Sequence, residues 1–164
     1  MKKSDIFEFI APDTEGAIID RYAVSDLTHV MSTFLHEQYH DSVKITTAFD
    51  SISQINIQGY KTAELFHRIL AIDRAEEILN IRLTESDDML YIMIGTKVGL
   101  RIGEEEKIEI IDLARAAGFY ININEEHGII TLKCETHSGS VTFSAQDKDH
   151  PFYKELESAF RDLT

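Results

Sequence analysis

The sequence is short of the residues that mark secreted, linker-rich and membrane-spanning proteins. Cys134 is its single cysteine among 164 residues, which excludes an internal disulfide framework and predicts a reducing cytoplasm. Only 2 prolines and 8 glycines leave no low-complexity segment. No apolar run approaches the ~20 residues of a membrane span, and Ile6–Ile10 is too short and too acidic for a signal peptide. We therefore expect a cytoplasmic protein.

Positive charge is also scarce. There are 16 Lys and Arg against 29 Asp and Glu, which gives a formal net charge of −13 and a sequence pI near 4.8. Nucleic acids and anionic membranes are themselves negatively charged, so neither is an expected partner. The length is sufficient to bury a core.

The hydrophobic pattern divides the chain into three parts. Residues 1–20 are predicted to form an N-terminal arm, residues 21–78 a helical hairpin, and residues 79–164 an α/β sandwich domain. The second helix of the hairpin is expected to form one compact unit with the sandwich.

A long first helix is predicted from Val24 to Ile52, because apolar residues in this range fall on one stripe at about 100° per residue. The competing interpretation is a strand at Val43–Thr47, where β-branched residues cluster. Gly59 interrupts the pattern, and a second helix is predicted from Tyr60 to Ile78. The two helices would form an antiparallel hairpin, which would also permit a homodimer through a four-helix bundle.

The remaining sequence alternates between strand and helix patterns. It predicts a β-hairpin, a helix, three strands and a closing helix: Leu79–Thr84 with Met89–Ile94, Glu104–Ala117, Phe119–Ile123, Ile129–Cys134, Ser140–Ser144, and Phe152–Leu163. The predicted fold class is α+β, with a long-helix hairpin followed by a mostly antiparallel sheet that carries helices on one face.

The order of elements from Tyr60 to Ser144 resembles the histidine-kinase, anti-sigma and gyrase ATPase fold (GHKL). In that family a helical Asn orients Mg²⁺, and a strand hairpin then ends in Asp-x-Gly-x-Gly. Asp73 stands at the Asn position, within the apolar arc of its predicted helix. The loop that begins at Gly95 resembles the glycine motif, but Gly95 replaces its Asp, Lys97 replaces its first glycine, and only Gly99 matches.

This resemblance implies a retained fold with an eroded nucleotide site. Asp73, Gly95 and Gly99 would be the cofactor-binding positions. The Asp that reads the adenine amino group, the second glycine box and the long ATP lid are all missing, so ATP with Mg²⁺ is not an expected cofactor. In the alternative interpretation, Gly95 and Gly99 merely shape a turn in an unrelated α+β domain. Binding or phosphotransfer is favoured over ATP hydrolysis.

Three histidines, His29, His36 and His40, lie on one side of the predicted first helix, opposite its apolar stripe. The segment around His40 and Asp41 resembles the phosphoacceptor segment of one histidine-kinase class. This resemblance implies a signalling phosphotransfer module in which His40 accepts the phosphoryl group and Asp41 assists as acid and base. The partner would be a receiver or regulator protein.

An alternative function comes from the same segment, because His36, Glu37 and His40 also match the pattern H-E-x-x-H. Two histidines four residues apart on a helix can bind Zn²⁺, and Glu37 would polarise its water in a small zinc-dependent hydrolase. No third ligand stands out downstream, so no metal is expected outside this alternative. A solvated helix face without a specific role is the third interpretation.

Overall fold

The structure, a computed structural model, describes residues 8–48, 53–75, 77–138 and 147–163. Its helices and strands in chain order are β1 (Asp20–Ala23), α1 (Val24–Tyr39), β2 (Val43–Ala48), β3 (Ser53–Ile57), α2 (Gly59–Leu70), β4 (Leu79–Ser86), β5 (Met89–Gly95), α3 (Glu104–Ala117), β6 (Tyr120–Asn124), β7 (Ile129–Glu135), β8 (His137–Ser138) and α4 (Pro151–Leu163). Within these ranges no helix is long and apolar enough to cross a bilayer.

The strands form two sheets. A five-stranded sheet has the order β2-β4-β5-β7-β6, and all of its neighbours are antiparallel except β2 and β4, which are parallel. A three-stranded antiparallel sheet has the order β1-β3-β8. Together with the four helices, these sheets confirm the predicted α+β class.

The core lies on one face of the five-stranded sheet. Along β4, Leu79, Ile81 and Leu83 are buried, whereas Asn80 and Arg82 between them are exposed. Successive side chains of a strand point to opposite faces, so one face of β4 is covered and the other is not. The buried strand residues join those of the helices in a single hydrophobic cluster.

Two predicted elements appear almost as expected. The hairpin of β4 and β5 is present, and α3 has the predicted bounds. Gly103 precedes α3, and its N–H donates to the Glu106 carboxylate at 3.0 Å. Gly118 follows the helix with φ at 105°, a conformation that residues with a Cβ rarely adopt. The glycines on both sides therefore set the limits of this helix.

The predicted long helix from Val24 to Ile52 is wrong. α1 ends at Tyr39, and His40 has a φ of 53° that no α-helix continues through. After a short 3₁₀ turn the chain extends into Val43–Ala48, which pairs with β4 so that Val43 lies opposite Leu79. The β-branched residues of this segment favour a strand, and β4 supplies the neighbour with which it pairs. The competing strand interpretation is therefore correct.

The helical hairpin predicted for residues 21–78 is also not formed in the described residues, because β2 and β3 lie between α1 and α2. α2 ends at Leu70 and not at Ile78. Arg74 Nη1 donates to the Leu70 carbonyl at 3.1 Å and satisfies an acceptor that the helix end leaves open. Ala75 then takes a positive φ of 54°.

β2 lies before residue 78 in the chain and β4 lies after it, and the two strands pair in one sheet. The division of the chain into residues 1–20, 21–78 and 79–164 stays a prediction. The strand predicted at Ser140–Ser144 lies outside the described residues.

An irregular N-terminal segment lies along one edge of the five-stranded sheet. Ile10 and Ile121 of β6 exchange two backbone hydrogen bonds, of 2.8 and 3.0 Å. Asn122 Nδ2 donates to the carbonyl of Glu8 at 2.9 Å. This segment therefore covers the outer edge of β6.

Candidate functional site

The three histidines predicted to share a helix face are separated by the end of α1. His29 and His36 are exposed residues of the helix, whereas His40 lies in the turn that follows it. The ring centroids of His36 and His40 are 6.3 Å apart. Asp41 is exposed in the same turn. The structure thus places these residues at the surface, as expected, but not on one continuous helix.

Glu37, the predicted base of the zinc alternative, contacts α4. Its Oε1 accepts a hydrogen bond from the Tyr153 hydroxyl at 2.9 Å, and its Oε2 lies 3.4 Å from Lys148 Nζ. His40 lies just beyond the helix, and its backbone N–H donates to the carbonyl oxygen of His36. In the ranges that the structure describes, no three His, Cys, Asp or Glu side chains are grouped to hold a metal ion.

Asp73 does not lie in the apolar arc of a helix. It is exposed in the turn after α2, and its Oδ1 accepts the N–H of Ala75 at 3.0 Å. The sequence prediction was wrong because the helix ends three residues earlier, at Leu70. A side chain that caps its own turn needs no buried partner.

The structure brings Gly95 and Gly99 together at one turn. Gly99 has a φ of 92°, and a Cβ placed on it would lie 2.5 Å from the carbonyl oxygen of His127. A Cβ on Gly95 would lie 3.4 Å from the carbonyl oxygen of Gly128, and this same oxygen accepts the N–H of Leu100 at 2.9 Å. The glycine loop is therefore packed, backbone against backbone, on the turn between β6 and β7.

α3 begins five residues after Gly99 and is tied directly to α2. Arg68 of α2 places its Nε 2.9 Å from Glu109 and its Nη1 3.5 Å from Glu106. These ion pairs hold the first two turns of α3 against α2. No long segment lies between the glycine loop and this helix.

One cavity of about 500 Å³ lies where α1, α2 and α4 meet. The Phe160 ring lines it, and the ring centroids of Phe34 and His67 each lie 4.9 Å from that of Phe160, with the ring planes nearly perpendicular. Burial, and secondarily the Arg68 charge, lower the pKa of His67, so this imidazole is neutral at pH 7. Lys154 and Arg161 also line the cavity.

A second cavity, of about 520 Å³, lies between α1 and β2. His29 and His36 line it from the helix, and Lys44 and Ile45 line it from the strand. Neither cavity is lined by Asp73, Gly95 or Gly99.

Sequence reasoning missed one buried polar pair, formed by His150 and Asp26. Both residues are about 3% exposed, and His150 Nε2 lies 3.8 Å from Asp26 Oδ2. The N–H of Phe152 donates to His150 Nδ1 at 3.0 Å, which leaves Nε2 to carry the hydrogen of the neutral ring. No periodic signal marks His150, because it precedes α4 and its burial depends on a distant helix.

Comparison with known proteins adds a fold likeness. No family model matches the sequence, and neither does any curated protein. A nucleotide-free form of the catalytic domain of histidine kinase ThkA matches with a TM-score of 0.51 at 8% sequence identity, over 74% of this chain and 99% of that domain. Another nucleotide-free form of that domain matches with a TM-score of 0.50 at 10% identity, over 72% and 97% respectively. The chain has the fold of a histidine-kinase catalytic domain.

The histidine-kinase-like fold confirms the resemblance drawn from Tyr60–Ser144 and extends it, since the matched share of the chain is larger than that segment. At these identities the likeness is one of fold. The predicted loss of the nucleotide site is not tested by this likeness and stays a prediction from the residues of this chain, above all from Gly95 and Gly99.

Proposed function

We propose that the protein is a regulatory interaction protein that keeps a histidine-kinase-like fold and does not turn over ATP. The observation that carries this proposal is the packing of the glycine loop. In the resembled family the glycines let the backbone approach a nucleotide, whereas here the space beside Gly99 contains the backbone of His127 and Gly128. The glycines thus serve a contact within the protein.

Two further contacts support the loss of nucleotide binding. The Asp73 carboxylate caps its own turn and is directed to solvent, so it is not presented from a helix as a metal-orienting group would be. Arg68 ties α3 to α2 through Glu106 and Glu109, and no lid-length segment separates Gly99 from α3.

Calorimetric titration with Mg·ATP tests the proposal. We expect no saturable binding up to about 1 mM nucleotide, the weak end of the usual affinity range. The double variant Gly95→Asp, Lys97→Gly restores the Asp-x-Gly-x-Gly pattern and serves as the comparison. Binding of one nucleotide per chain by the unmodified protein, with release of phosphate over time, would contradict the proposal.

The expected partner is a protein of a signalling system, such as a receiver domain. The support is the fold likeness together with the charge of −13, which disfavours polyanionic partners. The homodimer predicted through a helical hairpin lacks its interface, since α1 and α2 do not form that hairpin.

Phosphotransfer by His40, assisted by Asp41, stays a prediction. Both side chains are exposed, as a phosphoacceptor and its acid must be, but they lie in a turn and not on a bundle helix. Incubation with radiolabelled phospho-receiver domains tests it. Label that transfers to the protein and is lost in His40→Gln, but retained in His29→Gln, would establish the role; equal labelling of both variants would exclude it.

A further inference from the structure

The groove between α1 and β2 runs along the edge of a strand. It is lined by Val43, Lys44 and Ile45 in succession. Successive side chains of a strand point to opposite faces of the sheet, so a groove that meets all three must follow the strand's backbone edge. One wall of the groove is therefore the edge of β2, and the other is the exposed side of α1, with His29 and His36.

This edge differs from the other edge of the same sheet. β6 is covered by the N-terminal segment through the paired hydrogen bonds of Ile10 and Ile121. In the described ranges β2 pairs with β4 alone, and no other strand lies on its outer side. A strand directs half of its N–H and C=O groups to each edge, so the outer groups of Val43–Ala48 are placed to pair with an added strand.

The groove lacks the excess of negative charge that the molecule carries. Lys44 and two histidines line it, and its only carboxylate, Glu37, already accepts from Tyr153 and lies beside Lys148. On a chain with a net charge of −13, the groove thus presents the Lys44 cation beside a carboxylate that Lys148 already pairs with. A carboxylate that enters it meets complementary charge, whereas elsewhere the acidic surface repels it.

We propose that the groove binds an extended acidic segment of a partner protein, which adds to the edge of β2 as a further strand. Its apolar side chains would pack toward Leu35 and Ile45, and its alternate carboxylates would face Lys44. A second copy of this chain is a poorer occupant, because two β2 edges would bring their lysines together. The inference rests on the proposed function, since it identifies the surface by which an interaction protein binds.

The test uses the fluorescein-labelled peptide acetyl-Val-Glu-Val-Glu-Val-Glu-amide, whose six residues match the length of β2. We expect saturable binding in fluorescence anisotropy, with amide NMR shifts confined to the groove and to Val43–Ala48. The same peptide with N-methyl groups at alternate residues cannot complete the backbone pairing, and we expect its affinity to fall at least about tenfold. A peptide with lysine in place of glutamate should not bind.

Matched charge reversals separate this site from general attraction. Lys44→Glu should weaken binding of the glutamate peptide at least about fivefold, and Arg101→Glu, an exposed cation outside the groove, less than twofold. Equal effects of both variants, or no effect of N-methylation, would overturn the proposal. A dimer in sedimentation that Lys44→Glu alters would overturn it in favour of a second copy. No step involves nucleotide, so failure here leaves the ATP test of the proposed function unaffected.

Discussion

At the scale of single residues, packing explains two glycines, Gly99 and Gly128. A Cβ at Gly128 would overlap the N–H of Leu100, and one at Gly99 would overlap the His127 carbonyl. Both glycines also have positive φ, at 92° for Gly99 and 64° for Gly128. Each therefore meets two separate requirements for the absence of a side chain.

We expect Gly99→Ala to lower the free energy of unfolding by about 3 kcal/mol, because backbone strain and a clash with backbone atoms act together. Gly16→Ala is the matched control. Gly16 also has a positive φ, 79°, but nothing lies within 4 Å of an added Cβ, so a loss of about 1 kcal/mol is expected. Urea unfolding of both variants measures the difference. Equal losses would show that the contact with His127 contributes nothing.

His150 is the buried group whose protonation opposes folding. Burial lowers its pKa, and the Asp26 carboxylate only partly offsets this. In the unfolded chain a histidine has a pKa of about 6.5. Between that value and the lower folded value, the unfolded state binds more protons than the folded state, so stability falls as the pH is lowered through this interval.

We expect the free energy of unfolding to decrease less between pH 7.5 and 5.5 in His150→Asn than in the unmodified protein. The Asn oxygen can still accept the N–H of Phe152, so the turn keeps its hydrogen bond. His67, whose pKa is also lowered, still makes the variant less stable as the pH is lowered. Glu155, whose pKa is raised by burial, has the opposite effect on stability in both proteins. Chemical unfolding at the two pH values is the measurement. If the free energy of unfolding changes with pH equally in both proteins, His150 does not contribute to the pH dependence.

At the scale of elements, boundaries set by local chemistry were predictable and those set by distant pairing were not. The bounds of α3 follow from Gly103 and Gly118, whose roles depend only on neighbouring residues. The end of α1 does not, because Ile45 and Ala48 fit the helical stripe of the sequence and also fit a strand. Pairing of that segment with β4, far along the chain, decided the outcome.

α4 is an amphipathic helix whose apolar side is buried against the rest of the protein. Phe152 is fully buried, with its ring 5.5 Å from that of Tyr22, whereas Leu163 on the same helix is largely exposed. We expect Phe152→Ala to lower the free energy of unfolding by about 3–5 kcal/mol, since it leaves a cavity. Leu163→Ala should change it by no more than about 0.5 kcal/mol. Thermal and urea unfolding compare them; equal effects would mean that α4 is not docked as described.

At the scale of the whole molecule, the charge of −13 is a source of self-repulsion. Ion pairs such as that of Arg68 and Glu109 offset it locally. Salt shortens the range of electrostatic interactions from about 30 Å at 0.01 M to about 10 Å at 0.1 M. It should therefore relieve the repulsion more than it weakens the few pairs.

We expect the urea midpoint of unfolding to rise when NaCl is increased from about 0.01 to 0.1 M. The variant Asp87→Asn, Asp88→Asn removes two exposed charges from a turn with positive φ, which Asn tolerates. Its midpoint should respond less to salt. A midpoint that falls with salt in the unmodified protein would show that attractive pairs outweigh the repulsion.

The fold class of the molecule was predictable, whereas its candidate sites were not. The order of elements from Tyr60 to Ser144 resembled the histidine-kinase-like fold, and the fold likeness to the ThkA catalytic domain confirms this resemblance. The contact of Gly99 with Gly128 and the burial of His150 against Asp26 join residues far apart in sequence. Such contacts leave no periodic trace, so a single sequence does not show them.

The parallel pairing of β2 with β4 has a consequence for the order of folding. β4 with β5, and β6 with β7, pair as neighbours along the chain, whereas β2 pairs with β4 across the intervening β3 and α2. Contacts between distant parts of a chain form slowly, and an edge with one neighbour opens readily. Amide hydrogen exchange should therefore be faster in β2, the strand at the groove, than in its neighbour β4. A bound segment would slow that exchange, so recognition and the final step of folding would involve the same six residues.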